Sequence, residues 1–564
     1  MQQTYTNPIY DYVRSDDQDA EARQHHPVII VGAGPCGLAA GIDLALQGTP
    51  SVIIDDNNTV SVGSRAICFS KRTLEVMDRY GCADRMVKKG ITWKRGKVFF
   101  QNELTYDFDL LPETDHKLPA FINLQQYYFE EYLVDRIADM EGVDLRWENK
   151  VIEIDNQETV THITVATPEG NYTISCDYLL VADGANSNIR TQLGLESKGQ
   201  VFQDRFLIAD VVMKANFPTE RWFWFDPPFH RNQSALLHRQ ADNVWRIDLQ
   251  LGWDADPEEE KKEHNIRPRL EAMLGKDVEF DLEWASVYTF QCRKMDNFVH
   301  GRVIFMGDAA HQVSPFGARG ANGGIQSVEN LAWKLSRILR NEALPSLLQT
   351  YNTERQEGAT ENITNSTRAT DFITPKNRIS RIFRDETLRL AKKNPFARTL
   401  VNSGRLSTPC IYQSSPLNTS DDAHFQGKLT VGAAAHDAPA QINGHDDWLL
   451  KQLGNCFVAM INVDLIDQPS LQLELQALKE INDLRILLVS SQLEPTDLNE
   501  TYNERCHWVF DTKGLIVERY DLQPGNAYLF RPDQIISARW KHFTAAAINK
   551  AKKKALGFTL ESAA

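Results

Sequence analysis

Apolar residues recur along this chain in two rhythms, short unbroken runs and helical spacings of three and four. Residues 28–31 are continuously apolar and β-branched, the pattern of a strand buried on both faces. A glycine-rich turn follows, then an Ala- and Leu-rich stretch at 38–47 that predicts a helix. After Gly48 a second apolar run, 52–54, stops at Asp55 and Asp56. Strand, helix and strand in so short a span predict a βαβ unit and a parallel sheet. Residues 121–140 predict an amphipathic helix, and 143–174 a meander of short strands with a turn at Pro168 to Gly170. Apolar runs at 178–182 and 303–306 each end in a glycine-bearing loop leading to a helix, the second over 325–339. Between them, 206–213, 234–239, 244–251 and 284–290 alternate as half-buried strands of one antiparallel sheet. Charged helices are expected at 348–355 and 359–371, then Pro375, a basic run over 378–389, and a linker at 408–425 rich in Ser, Pro, Asn and Asp. Strands at 457–463, 484–489, 507–510 and 527–532 close the pattern.

The loops carry the chemistry. Gly32, Gly34 and Gly37 have G-x-G-x-x-G spacing between the first strand and its helix, with Pro35 at the helix start. Gly32 permits a tight turn, Gly34 lets the backbone approach a pyrophosphate, and Gly37 allows close helix packing. A helix N-terminus directs unpaired N–H groups and a positive dipole end at the phosphates. Asp55, at the tip of the second strand, is placed to accept hydrogen bonds from a ribose diol. Asp183 and Gly184 follow the 178–182 run, with a helix start near Ser187. Gly307 and Asp308 follow the 303–306 run, ahead of a glycine-rich loop at 317–324.

Taken in this order and at these distances, the three motifs resemble the single-component (group A) flavoprotein aromatic hydroxylases, nearest the 3-(3-hydroxyphenyl)propionate and phenol hydroxylase branch, over about residues 26 to 400. The resemblance implies an α/β fold: a Rossmann-like FAD-binding domain of glutathione-reductase type, an inserted antiparallel-sheet substrate domain, and a C-terminal thioredoxin-like domain lacking C-x-x-C. It implies that Gly32, Gly34, Pro35 and Gly37 hold the FAD pyrophosphate and that Asp55, beside Asp56, binds the adenosine ribose. Arg65 and Gln126 would contact the flavin or its phosphates, and Asp183 would lie between FAD and a passing nicotinamide nucleotide. Gly307 and Asp308 would meet the ribityl chain and Pro315 the isoalloxazine. Gly320 and Ala321 would lie at the helix start, with Asn322 and Gly323 presenting N–H groups to the pyrimidine edge. Ser327 stands where relatives often carry Asp. The implied reaction uses NADH or NADPH and O2 to hydroxylate a phenolic aromatic next to an existing hydroxyl, through a flavin C4a-hydroperoxide.

On the expected substrate sheet, His238 or Tyr288 could take a phenol proton and Arg246 could pair with a carboxylate, although cross-strand structural pairing accounts equally well for each. His311 reads as a hydrogen-bonded structural residue or as an acid or base. Trp222, Trp224 and Pro227 resemble a flavin-dependent halogenase signature, which makes a halogenase the competing enzyme; a flavin-sensing interaction protein is the non-enzymatic alternative. Expected boundaries are a mobile arm at 1–26, an FAD-binding domain from 27–195 and 296–400, the substrate domain at 196–295, a linker at 401–426 and the C-terminal domain at 427–564. Net charge of -15 argues against nucleic acid or an anionic membrane surface as a partner. No signal-peptide core or membrane-spanning run is visible, and eight scattered cysteines suggest neither zinc nor a disulfide framework. The expected protein is cytoplasmic and homodimeric, with a small aromatic substrate.

Overall fold

The computed structural model describes residues 4–63, 65–215, 217–401, 406–421, 423–464, 468–492 and 505–558. The rest of the expected arm, linker and C-terminal domain lies outside the described residues.

Strand His25–Val31 is the centre of the first sheet. It pairs in parallel with Ser51–Ile54 on one side and Gly170–Val181 on the other, and the parallel run extends to Val143–Arg146 and Val303–Phe305. Val28, Ile29 and Ile30 are wholly buried, which accounts for the unbroken apolar run. Helices Pro35–Leu46 and Gly320–Leu339 pack against each other and share this sheet's core. Strands Lys150–Asn156 and Thr161–Thr167 add the expected meander antiparallel to Gly170–Val181. The helix expected over 121–140 divides. Phe121–Asn123 is a buried strand between Cys68–Ser70 and Ile91–Trp93, and the helix is Gln126–Ala138.

The second sheet runs in the order His311–Gln312, Phe280–Met295, Ser197–Met213, Val244–Leu251, Ser234–Arg239, Arg221–Phe225, Arg95–Phe100, Glu103–Asp109. Its last two strands depart from the expected boundaries: residues 95–109 fall within the expected FAD-binding domain, yet Arg95–Phe100 pairs in parallel with Arg221–Phe225. Odd and even positions separate cleanly. Leu207, Ala209, Leu237, Trp245 and Ile247 form one core with Ile266 and Leu270 of helix Glu263–Leu274, and the alternate residues face the other way.

The arm expected to be mobile is instead laid along the body. Tyr5 stacks on Tyr127 at 4.1 Å, Tyr10 on Trp147 at 4.7 Å, and the Asn7 amide donates to the Val60 and Ser61 carbonyls. Aromatic burial and backbone pairing outweigh the polar composition of this segment. The two charged helices expected at 348–355 and 359–371 are one, Leu347–Ile373. Gly358 does not break it; a Cβ there would lie 2.8 Å from Arg355 Nη1, so the glycine makes room for that guanidinium.

The C-terminal unit is a seven-stranded mixed sheet with Phe457–Asn462, Leu484–Ser490 and Cys506–Phe510 parallel at its centre. Buried charge joins it to the nucleotide unit. Glu354 accepts from Arg531 at 2.6 Å, Lys334 at 2.7 Å, Asn330 at 2.6 Å and Ser415 at 2.5 Å. Arg72 bridges Glu329 and Gln534. Among the described residues no helix is long and apolar enough to cross a membrane.

Candidate active site

Val31, Val181 and Phe305 lie side by side in the first sheet, so the three glycine-bearing loops leave its carboxyl edge together. Backbone bonds hold them there: Gly32 N–H donates to Ile54 O at 2.8 Å, Ala182 N–H to Val31 O at 2.8 Å, and Met306 N–H to Val181 O at 3.0 Å. Gly32, at φ 107°, would place a Cβ 2.5 Å from the Ala182 carbonyl oxygen, and Gly37 would place one 1.8 Å from Gly32 O. Gly34 differs: an added Cβ there meets nothing within 4 Å, so the turn opens onto free space above the N-terminus of Pro35–Leu46. Cys36 fills the space between motifs, its sulfur 2.7 Å from where a Cβ on Gly307 would be and 2.4 Å from one on Gly324. This wedge locks the first and third loops together.

Asp55 accepts from the Ala33 N–H at 2.5 Å and from Asn57, which holds its carboxylate at the turn. Asp56 points outward to Lys150 at 3.3 Å, both side chains more than half exposed. Asp183 accepts from Ile189 N–H; burial raises its carboxyl, neighbouring donors lower it in part, and its Oδ1 has no hydrogen-bond partner among the described residues. Asp308 is reached by water yet lies deep enough that burial lifts its carboxyl to about 6, with Arg65 pulling the other way. A carboxyl exposed to solvent although protein surrounds it lies in a cleft. Arg65 is exposed at the same cleft, and Gln126 secures its loop by accepting from Ala66 N–H at 2.9 Å while donating to Glu130.

Helix Gly320–Leu339 begins at the cleft, so Gly320, Ala321 and Asn322 supply first-turn amides. The Gly323 N–H donates to Arg319 O and is already used within the helix. The Asn322 side chain accepts from Ser70 and Thr73 and donates to the Cys68 and Ala318 carbonyls, fixing the approach. Pro315 is exposed ahead of it. Ser327 accepts from Arg355 at 3.0 Å and contacts His311 at 3.3 Å; Arg355 also donates to Gly323 O and Tyr412. The carboxylate expected of relatives at position 327 would face that guanidinium. His311 is buried, and burial with Arg355 and Lys294 pushes its pKa down to about 3, so it is a neutral packing group.

The second sheet turns its other face to the same space. Trp284 packs on Gly63, and Arg246 donates to the Arg65 carbonyl at 3.1 Å, joining the sheet to the loop. Arg246 also meets Asp210 at 3.3 Å and lies opposite His238 in register. Asp248 shares this face; burial raises its carboxyl to about 6, against Arg246 and Arg221. Burial and the same two arginines push His238 well below the usual imidazole range. His238 Nδ1, Asp248 Oδ1, Arg221 Nη1 and Gln240 Oε1 are buried without a hydrogen-bond partner among the described residues. Beyond this polar end the face is aromatic: Phe206, Phe225 and Phe290 pack with Phe316, and Tyr288 lies against them. Trp222 and Trp224 belong to the opposite face with Phe217 and Phe229, so the halogenase-like tryptophans point away from the cleft.

The FAD binding domain family matches residues 25–366 of this chain. The chain belongs to that family. Its curated relatives include the 12-dehydrotetracycline 5-monooxygenase/anhydrotetracycline 6-monooxygenase of Streptomyces rimosus, 27% identical over 67% of this chain and 76% of that one. The para-nitrophenol 4-monooxygenase of Pseudomonas sp. is 24% identical over 58% and 82%. The 3-(3-hydroxy-phenyl)propionate/3-hydroxycinnamic acid hydroxylase of Mycolicibacterium smegmatis is 25% identical over 66% of each. Among solved structures, the flavin-dependent monooxygenase PieE, in complex with FAD and substrate, superposes with a TM-score of 0.77 at 19% identity over 95% of this chain and all of PieE. At that identity the likeness shows the fold.

This member of the family has a cleft that fits FAD. The open space at Gly34, the unpartnered Asp183 Oδ1, the water-accessible Asp308 and the first-turn amides at Gly320 to Asn322 are what a dinucleotide with a polar ribityl chain requires. A groove of about 580 Å3 along Gln356 to Arg368 contains none of these residues. Sequence reading missed Asp248, Arg221 and Gln240. Their signal was parity with His238 and Arg246, legible only once strand register is known.

Proposed function

We propose that the chain is a FAD-dependent monooxygenase that uses NADH or NADPH and O2 to hydroxylate a phenolic aromatic compound, ortho to an existing hydroxyl. The observation that carries this reading is the second sheet's cleft face, with a polar end whose buried atoms include several that make no hydrogen bond among the described residues and an aromatic end on the same face. FAD supplies the oxidising chemistry when bound, which is why no protein nucleophile or metal cluster is needed. In this reading Gly32, Gly34, Pro35, Gly37 and Asp55 hold the ADP half, with Gly307 and Asp308 on the ribityl chain. The first-turn amides of helix Gly320–Leu339 supply a positive dipole end to the ring, where negative charge grows on reduction.

The chain's own residues prepare the substrate. Ring attack is favoured on a phenolate, so a proton must leave the phenol oxygen. Asp248 suits that task better than His238: with a pKa of about 6 it is ionised at neutral pH, and its Oδ1, 3.8 Å from Arg246 Nε, accepts no hydrogen bond among the described residues, whereas a buried imidazole pushed far down in pKa is a weak base. Arg246 and Arg221 would stabilise the phenolate, while Phe206, Tyr288 and Phe290 wall the ring and exclude water. Eight free cysteines support a reducing compartment, and the C-terminal unit, read as thioredoxin-like, has no cysteine pair for redox work. The test is a panel of phenols and phenolic acids, following NAD(P)H oxidation together with hydroxylated product. Asp248→Asn should lower kcat/KM by about 100-fold and remove a limb near pH 6. Equal uncoupled oxidation with every aromatic, or an unchanged profile in the variant, would sink the proposal.

A further inference from the structure

The basic run after Pro375 has no part in the site described above. It forms helix Arg378–Ala391, followed by Pro395–Val401. The inner face of this pair, Leu388, Ala391, Ala397 and Val401, packs on the aromatic end of the second sheet. The outer face is apolar where it should be polar. Ile379, Ile382, Phe383 and Leu390 recur at helical spacing along one outward stripe, crossed by the exposed Glu386–Arg389 ion pair; Phe396 and Leu400 follow on the next helix, and all six apolar side chains are 47 to 80% exposed. No other stretch of the described residues exposes large apolar side chains so densely, and isolated exposed hydrophobics are the norm elsewhere on this surface.

Charge decides what covers the stripe. Residues 376–398 hold eight Lys or Arg and two Asp or Glu, in a chain of net charge -15. Lys376, Arg384, Arg389 and Lys392 have carboxylate partners. Among the described residues no carboxylate lies within ion-pair distance of Arg378, Arg381, Lys393 or Arg398, and the first two flank the apolar stripe. A second copy docked through the same patch about a two-fold axis would bring together two surfaces of net positive charge, each with eight basic and two acidic side chains over 376–398. A flat anionic surface with an apolar interior satisfies both features, with apolar side chains below the headgroups and arginines at their level.

We infer that helix Arg378–Ala391 lies in the interface of an anionic lipid bilayer, making this chain a peripheral membrane binder at that one patch. Its overall negative charge keeps the rest of the surface off the bilayer. The helix that touches lipid on its outer side closes the aromatic end of the cleft on its inner side, where apolar aromatics concentrated in a membrane would arrive. Lipid contact does not depend on which aromatic is the substrate.

Co-sedimentation of the FAD-loaded full chain with vesicles of phosphatidylcholine alone and of phosphatidylcholine with phosphatidylglycerol tests this. Binding should be at least about tenfold stronger with phosphatidylglycerol present and should weaken in high salt. The double variant Ile382→Asp/Phe383→Asp should lose about tenfold or more of that binding, and so should Arg378→Glu/Arg381→Glu, each retaining bound flavin as the sign of an intact fold. Phe383→Trp should give a blue-shifted emission on anionic vesicles only. Failure of the native chain to sediment, vesicle binding undiminished in both double variants, or a dimer that Ile382→Asp/Phe383→Asp splits into monomers would each overturn the inference.

Discussion

Alanine at Gly34 and at Gly37 should have opposite consequences, although the two glycines stand three positions apart in one turn. Gly34 has φ -78° and ψ -175°, a conformation open to any L-residue, and its added Cβ meets nothing within 4 Å. Gly34→Ala should therefore leave the apoprotein intact, and by narrowing the unfolded ensemble should stabilise it by about 0.4–1 kcal/mol. The same methyl occupies the space in which the backbone would approach the FAD pyrophosphate, so FAD affinity should fall at least tenfold, about 1.4 kcal/mol. At Gly37 the Cβ would lie 1.8 Å from Gly32 O, and Gly32 is itself confined by the Ala182 carbonyl. Neither backbone can retreat by the angstrom or more needed. The cost lies at or above the upper end of the ~1–3 kcal/mol typical of overpacking. Urea unfolding of the flavin-free proteins gives the first quantity, and FAD titration followed by flavin fluorescence gives the second. If Gly34→Ala bound FAD as the native chain does, or if the Gly37→Ala apoprotein were as stable as the Gly34→Ala one, this turn would not be the phosphate cradle.

Glu354→Gln should destabilise the chain by about 3–5 kcal/mol, because it leaves the buried Lys334 and Arg531 short of their shared carboxylate. Urea unfolding with limited proteolysis should show the C-terminal unit released first, and a loss below about 1 kcal/mol would remove this network as the inter-unit lock. Asp248 has a folded pKa of about 6, above its unfolded value, so the stability it contributes is fully present below about pH 4 and is lost as pH rises through about 6. In Asp248→Asn apoprotein that slope should vanish from the pH dependence of unfolding; a slope left unchanged would show that another group carries it. His311, with a pKa of about 3, stays neutral from about pH 5 to 8, so His311→Asn should leave the shape of the kcat/KM profile over that range unaltered. A displaced limb near pH 6 would restore His311 as an acid or base.

The sequence by itself determined the local pieces. The unbroken run at 28–31, the glycine spacing from Gly32 to Gly37, and the aspartates that end three strands are short-range patterns with short-range causes, and the first strand, its helix and the second strand formed where these residues predicted them. Tertiary structure alone decided which pieces meet. Cys36 reads as an ordinary thiol until Gly307 and Gly324 close on it. The stretches 348–355 and 359–371 read as two helices until Gly358 gives Arg355 its space within one. The polar arm reads as mobile until Tyr5 finds Tyr127, and residues 95–109 look like part of the nucleotide unit until they pair with Arg221–Phe225. The gathering of Asp248, Arg221, His238 and Gln240 on one face depends on strand register, and a slip of one residue would turn every one of them away from the cleft. Two successive hairpins set that register, and the parallel pairing of Arg221–Phe225 with Arg95–Phe100 ties them to a segment far away in the chain, which no local pattern of residues encodes.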